Sequence, residues 1–249
     1  MKPCFGKLLE LSKMAKKDGI CVKTGILGNV DTLDNSMLQL MKRCKLDEFF
    51  ISLDGLEKTN DEQRGKGCFR NAVNWMPRLT KAGINVKVKF TLTKNSLNDI
   101  GETMKLSYRL GAKNFIVGDL LLHDNKIQDY INSISLTDED RKKAAGLLIK
   151  AVFEMTPEDN QKVLKDFLWL CKRWEFFQQM CKDQGIFINA EDPFRKDEIH
   201  GSELIRGVIW QDGSIYNRNK APRELLGKWP EQSMEEIYEG VKRRNEEAK

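Results

Sequence analysis

Histidine is nearly missing from this chain, with 2 in 249 residues, and His123 and His200 are isolated from any nucleophile or metal partner at motif spacing. No Gly-x-Gly-x-x-Gly, Walker lysine loop or nucleophile elbow occurs, so the dinucleotide, P-loop and α/β-hydrolase signatures are absent. No stretch approaches the ~18–20 apolar residues of a membrane span, and the first residues hold no apolar signal core. A cytoplasmic chain with no membrane partner is therefore expected. None of the 6 cysteines (4, 21, 44, 68, 171, 181) has Cys-x-x-Cys spacing, which argues against a zinc or redox pair. Their number and scatter do not suggest a disulfide framework either, and buried packing is their expected role. Charge of one sign is scarce too. The chain has 42 Lys and Arg against 37 Asp and Glu, a net +5, too little for a nucleic-acid footprint. The densest basic run, Lys242-Arg243-Arg244, is followed at once by Glu246 and Glu247.

What is present is a soluble globular balance, 40% apolar and 32% charged with 6 prolines, and an alternation of helix and strand patterns. Helical spacing predicts helices over 7–17, 32–43, 69–81 and 97–110, with Gly19, Gly83 and Gly111 as stops. Strand patterns fall at Ile20–Lys23, Phe49–Leu53, Val86–Thr93 and Phe115–Val117. Strands separated by such helices imply parallel βα units.

The middle of the chain is helical. Ser135 or Thr137 caps a helix to about Glu154, with Asp138, Glu139 and Asp140 in its first turn. Thr156-Pro157 opens the next, with Pro at N1. Its stripe of Val163, Phe167, Leu170, Trp174, Phe177 and Cys181 is expected in the chain's own core, a partner groove being the other use of such a stripe. Gly185–Ile188 reads as one more strand, left by a turn at Asp192-Pro193. Near the C-terminus, Gly207–Trp210 and Ser214–Tyr216 flank Asp212-Gly213 as a hairpin, and a helix follows over 233–243.

Three stretches together resemble the radical S-adenosylmethionine superfamily, of the type carrying the auxiliary-cluster domain called SPASM. The first is residues 49–95, with Ser52, Asp54 and Gly55 ending a strand, Arg64-Gly65 following, and Thr93 and Asn95 ending the next strand. The second is Asp192-Pro193-Phe194-Arg195. The third is 207–240, similar to the SPASM hairpin and its closing helix. The resemblance implies an α/β fold, a partial (β/α) barrel of parallel strands with about four of the family's six units. A helical region and a small SPASM-like β-hairpin plus helix would follow. The implied domains are 1–122, the partial barrel; 123–195, a helical segment with the last barrel strand; and 196–249, a degenerate SPASM-like domain.

The resemblance also implies S-adenosylmethionine and a [4Fe–4S] cluster as cofactors. Ser52, Asp54, Arg64 and Asn95 would be the cofactor-binding set, Ser52 facing the ribose and Arg64 the carboxylate. The chemistry of the residue types agrees, since a hydroxyl can bond a diol and a guanidinium pairs with a carboxylate through parallel N–H bonds. Each also has an ordinary role: Asp54-Gly55 as a turn, Arg64 on a solvated loop, Asn95 as a helix cap.

The family's Cys-x-x-x-Cys-x-x-Cys motif does not occur in these 249 residues. Met1-Lys2-Pro3 sits where a preceding Gly-Gly-Glu-Pro landmark would end, which suggests N-terminal truncation. The SPASM cysteine positions are best matched by Ser202 and Asn217-Arg218, which are poor iron–sulfur ligands. Catalytic residues stay unassigned, no metal ligands are named, and activity of this chain alone is doubtful. Three alternatives stand: an enzyme-derived maturase fragment, a non-catalytic binding or partner subunit, or an unrelated cytoplasmic α/β enzyme. The resemblance leaves the substrate open among a ribosomal peptide, a protein side chain and a small metabolite, with a peptide or protein as the expected partner. An open barrel remnant further predicts a homo-oligomer or a partner chain completing it.

Overall fold

Strict alternation along Asn85–Leu92 separates two faces of a strand: Val86, Val88, Phe90 and Leu92 are buried, while Lys87, Lys89 and Thr91 between them are half-buried. That period of two is what a strand packed on one side by helices requires. The computed structural model describes residues 24–28, 30–119, 134–188, 207–209, 214–217 and 224–228, with isolated positions between 6 and 17 and between 231 and 243. The strands β1 (Gly25–Leu27), β2 (Glu48–Ser52), β3 (Asn85–Leu92) and β4 (Asn114–Asp119) form one parallel sheet in sequence order. A sheet that adds each strand beside its predecessor, without reversal, is barrel-like and not doubly wound. The expected partial barrel is the architecture found. The strand expected at Ile20–Lys23 lies outside the described residues.

Between the strands run α1 (Asn35–Arg43), α2 (Glu57–Arg64), α3 (Cys68–Lys81) and α4 (Ile100–Arg109). Asp34 caps α1 by accepting the N–H of Met37 at 2.9 Å. Met76 and Leu79 of α3 and Ile100 and Met104 of α4 are fully buried, as are Phe49, Ile51, Val86 and Val88 of the sheet. Each such side chain contributes about 1.5–3 kcal/mol when taken from water. The Phe90 and Phe115 rings, 5.5 Å apart, tie β3 to β4.

Next come α5 (Asp138–Phe153), α6 (Pro157–Arg173) and α7 (Glu175–Asp183). Thr137 and Asp140 form a reciprocal cap on α5, and Thr156 caps α6 with Pro157 in its first turn. Gly101 lets α4 approach α5 closely: a Cβ there would lie 2.9 Å from the Leu147 carbonyl oxygen. The apolar stripe of the sequence is core, with Val163, Phe167, Leu170, Trp174, Phe177 and Cys181 all buried. It does not lie on one helix. Trp174 is extended (φ −118, ψ 98) and separates α6 from α7, which lets Phe177 meet Phe167 edge to face at 4.9 Å. The 4/3 spacing continues across the break, so periodicity alone reads it as one helix.

Residues 186–188, expected as a strand, have no regular structure. Gly185 (φ 74) ends α7, and the N–H of Ile186 turns back onto the Cys181 carbonyl at 2.9 Å. No described helix is long and apolar enough to cross a membrane.

Residues 23–191 form one compact unit, and residues 1–22 with 192–249 another. In the second unit β5 (Gly207–Ile209) and β6 (Ser214–Asn217) pair antiparallel, Val208 opposite Tyr216. That is the hairpin expected across Asp212-Gly213. A third strand, β7 (Glu224–Lys228), pairs with β6 and was not anticipated from the sequence. Ser233 and Glu236 exchange side-chain to backbone hydrogen bonds of 2.7 and 3.1 Å, the cap signature of the helix expected from Ser233.

Candidate cofactor site at the strand ends

All four strands are parallel, so their C-terminal ends share one rim of the sheet, where ligands of such folds collect. Ser52 is the last residue of β2, half-buried and in register with Lys89. The chain follows β3 one step further, the N–H of Leu53 bonding the Lys89 carbonyl at 3.0 Å. Asp54 then supplies its side chain in place of backbone: Oδ1 accepts the N–H of Thr91 at 2.7 Å.

This carboxylate is fully buried. Its Oδ2 accepts from Gln63 Nε2 at 3.0 Å and meets Arg64 Nη2 at 2.5 Å, and its backbone N–H donates to Asn60 Oδ1 at 2.9 Å. Burial pushes the carboxyl above its ordinary value, while the Arg64 charge and the Thr91 N–H pull it back. Gly55 is required where it stands, because a Cβ would lie 2.8 Å from that of Thr59 and 3.0 Å from Asp99 Oδ2. Asp99 in turn accepts the N–H of Leu56 at 3.0 Å. Asp54-Gly55 is thus the tightly bound exit of β2, anchored to β3 and to the start of α4.

Arg64 is the final residue of α2 and not part of an irregular loop. Glu57–Arg64 reads Glu-Lys-Thr-Asn-Asp-Glu-Gln-Arg, with no apolar stripe from which a helix could be inferred. Gly65, at φ 108, ends it. The Arg64 side chain is 31% exposed, and Asp54 holds one of its nitrogens. Asn95 sits at the end of β3, exposed in a turn closed by its neighbours. Ser96 Oγ accepts the N–H of Thr93 at 2.9 Å, a buried bond, and donates to the Thr91 carbonyl at 3.0 Å, a part-buried one. The turn presents Asn95; a helix-capping role is not what fixes it.

The structure therefore gathers Ser52, Asp54 and Arg64 around the end of β2 and sets Asn95 at the end of β3. Sequence reasoning passed over the face below them. Glu48, Phe50 and Ser52 share it with Lys87, Lys89, Thr91, Ile116 and Gly118 by register. Lys87 bonds Glu48 at 2.8 Å, and Lys87 and Lys89 lie 5.5 and 5.8 Å from the Phe50 ring centre. The alternation Val-Lys-Val-Lys-Phe-Thr carried that signal; its polar half is the half that faces away from the helices.

The described thiols, Cys44, Cys68, Cys171 and Cys181, do not gather into an iron–sulfur site. Among the described residues no group of three or more His, Cys, Asp or Glu could hold a metal ion. Cys68 donates to Asp31 at 3.2 Å and burial pushes its thiol up, as it does Cys171 and Cys181, the last to about 12. Ser202, Arg218, His123 and His200 lie outside the described residues. A cavity of about 310 Å³ beside α7, lined by Gln178, Lys182, Ile186, Phe187 and Ile188, shares no residue with the strand ends.

No family model matches the chain. Fe-coproporphyrin III synthase of Methanosarcina barkeri is 34% identical over 94 residues, 37% of this chain and 23% of that protein. Sporulation killing factor maturation protein SkfB of Bacillus subtilis is 26% identical over 112 residues, 42% of this chain and 27% of that one. The solved structure of anSMEcpe with bound AdoMet superposes with a TM-score of 0.58 at 16% identity, over 95% of this chain and 59% of that one. These likenesses support the resemblance to the radical S-adenosylmethionine superfamily of SPASM type. The chain spans only about a quarter of the length of the curated relatives it matches. The anSMEcpe fold also appears with AdoMet and a Kp18Cys peptide bound, at a TM-score of 0.56 and 16% identity over 96% of this chain and 63% of that one.

Proposed function

We propose that this chain binds S-adenosylmethionine at the C-terminal ends of its parallel strands and acts in peptide or protein modification as a binding or partner subunit, not as a free-standing radical enzyme. Arg64 would meet the cofactor's carboxylate through the N–H groups that Asp54 leaves unused, and Ser52 would bond a ribose hydroxyl. Asn95 would present its amide at the next strand end. The observation that carries the proposal is the buried Asp54 holding a part-exposed guanidinium beside Ser52.

S-adenosylmethionine, when reduced at an iron–sulfur cluster, supplies an adenosyl radical. Among the described residues no set fits the cluster, and no radical step is assigned to this chain. Their part is to bind and orient: an ion pair at one end of the cofactor, a hydroxyl at its middle, and the half-buried face of Phe50, Lys87 and Lys89 below. Peptide as the substrate class is supported by SkfB, a maturation protein, and by anSMEcpe, solved with a peptide bound. A partner chain or second copy that extends the sheet is part of the proposal. Leu27 on β1, which pairs only with β2 among the described residues, is 61% exposed.

The test is anaerobic reconstitution of the full chain with iron and sulfide, then dithionite and S-adenosylmethionine. Little bound iron and no 5′-deoxyadenosine above a no-protein control are expected. Roughly four irons per chain with deoxyadenosine formation would show a working cluster and overturn the non-catalytic assignment. Light scattering at tens of micromolar checks assembly, and a strict monomer with no partner recovered would count against the subunit role.

A further inference from the structure

A guanidinium at the end of a polar helix, 31% exposed, would ordinarily wander among rotamers. Holding a long side chain still costs conformational entropy, and a ligand that must do so binds correspondingly less well. Arg64 does not have that freedom. Its anchor, Asp54, is itself immobilised from three directions, by the Thr91 N–H at 2.7 Å, by Gln63 at 3.0 Å and by its own N–H on Asn60 at 2.9 Å. Asp54 has no exposed surface through which to touch a ligand. Arginine carries five N–H donors in a rigid plane, so an ion pair through Nη2 leaves other donors directed elsewhere.

We infer that Asp54 is a positioning residue, which fixes Arg64 so that the guanidinium's remaining edge recognises an amino-acid carboxylate by geometry and not by charge alone. The inference rests on the proposed binding of S-adenosylmethionine and goes beyond it by assigning how the carboxylate is selected. It makes a prediction of sign. If Arg64 worked through its charge only, removing the neighbouring negative charge of Asp54 would tighten binding of an anionic group. If Asp54 works by holding Arg64 in place, removing it loosens binding.

The experiment is a calorimetric titration of the full chain and of Asp54→Asn with two ligands: S-adenosylmethionine, and 5′-methylthioadenosine, which has the nucleoside and sulfur but no amino-acid carboxylate. The substitution is expected to weaken S-adenosylmethionine about tenfold, the scale of one charge-assisted hydrogen bond. Affinity for 5′-methylthioadenosine should not change. Tighter or unaltered S-adenosylmethionine binding overturns the inference, and so does an equal loss for both ligands, which would mean only a damaged strand end. Arg64→Lys keeps the charge and loses the fork, and is expected to show the same selective loss. Should Asp54→Asn fail to fold, unaltered selectivity in Arg64→Lys overturns the inference by itself. No binding of either ligand by the unsubstituted chain would overturn the proposed function as well, an outcome distinct from every pattern seen only in the variants.

Discussion

Two buried carboxylates, Asp54 and Asp166, hold opposite ends of the same parallel sheet in different company, one at the exit of β2 and the other at the start of β4. Each accepts a backbone N–H from a strand, Thr91 on β3 at 2.7 Å and Phe115 on β4 at 2.6 Å. Asp166, on α6, completes its surroundings with uncharged donors, the Asn114 amide at 2.9 Å and the Tyr108 hydroxyl. Burial outweighs these donors and the smaller opposing effect of the Lys87 charge, and its carboxyl is pushed up to about 6. Asp54 instead faces Arg64, whose charge works against the effect of burial. A carboxylate that only ties backbone together is served by neutral donors and needs no route to solvent. One that carries a part-exposed guanidinium brings a charge to the surface, at the place where a ligand can use it.

Removing Asp166 is expected to break the structural member of the pair outright. Asp166→Ala leaves the Phe115 N–H, the Asn114 amide and the Tyr108 hydroxyl without their acceptor. At about 1–3 kcal/mol for each buried donor left unpaired, a loss of about 4 kcal/mol should appear in urea unfolding. A loss under about 1 kcal/mol would mean that water replaces the carboxylate easily. Arg64→Ala should cost less, about 2 kcal/mol at neutral pH, because it leaves Asp54 buried without its counter-charge while the partner is only partly buried. That cost should shrink on acidification as Asp54 takes up a proton and no longer needs the cation; a pH-independent cost would contradict the role given to the pair.

The pH dependence of the unsubstituted chain sharpens the contrast further. The Asp166 carboxyl has its ordinary value of 3.8 when unfolded and about 6 when folded, so the unfolded chain gives up this proton first as pH rises. Its contribution to stability therefore falls between those two values and is level above them. Asp166→Asn should remove that slope from a plot of stability against pH, whereas Ser52→Ala should leave it in place. The smallest structural effect is expected at Ser52, which is half-buried and has no role in holding the strands. Ser52→Ala should change stability by less than about 0.5 kcal/mol. It should still weaken S-adenosylmethionine about fivefold, the value of one ordinary hydrogen bond. A stability loss without a binding loss would remove Ser52 from the site.

Much of the barrel portion was legible because its signals are local. Val86, Val88, Phe90 and Leu92 announce a strand by their period, and Thr137 and Thr156 announce helix starts by their caps. The motif residues were found by resemblance; Ser52, Asp54 and Asn95 lie at or just past strand ends, and Arg64 ends the helix α2. What was hidden is non-local. Nothing in Glu57–Arg64 marks a helix, because its hold comes from Asp54 and Asp99 across the strand exit and not from an apolar stripe. Trp174 continues the apolar spacing of α6 and α7 while bending the chain between them, so a periodic pattern concealed a break. Asp166 lies 51 positions beyond Phe115 in the chain, and no spacing rule connects a helical aspartate to a strand's edge. β7 was missed because its pairing with β6 is read only from the folded register.

The most direct measurement is equilibrium dialysis of the unreconstituted full chain against S-adenosylmethionine, beside Arg64→Lys at matched concentration. Saturable binding near one molecule per chain, reduced in Arg64→Lys, is the expected result. It would establish the strand ends as a cofactor site that works without a cluster on this chain. No saturable binding by the unsubstituted chain would contradict the proposed function, and binding unaffected by Arg64→Lys would place the cofactor elsewhere.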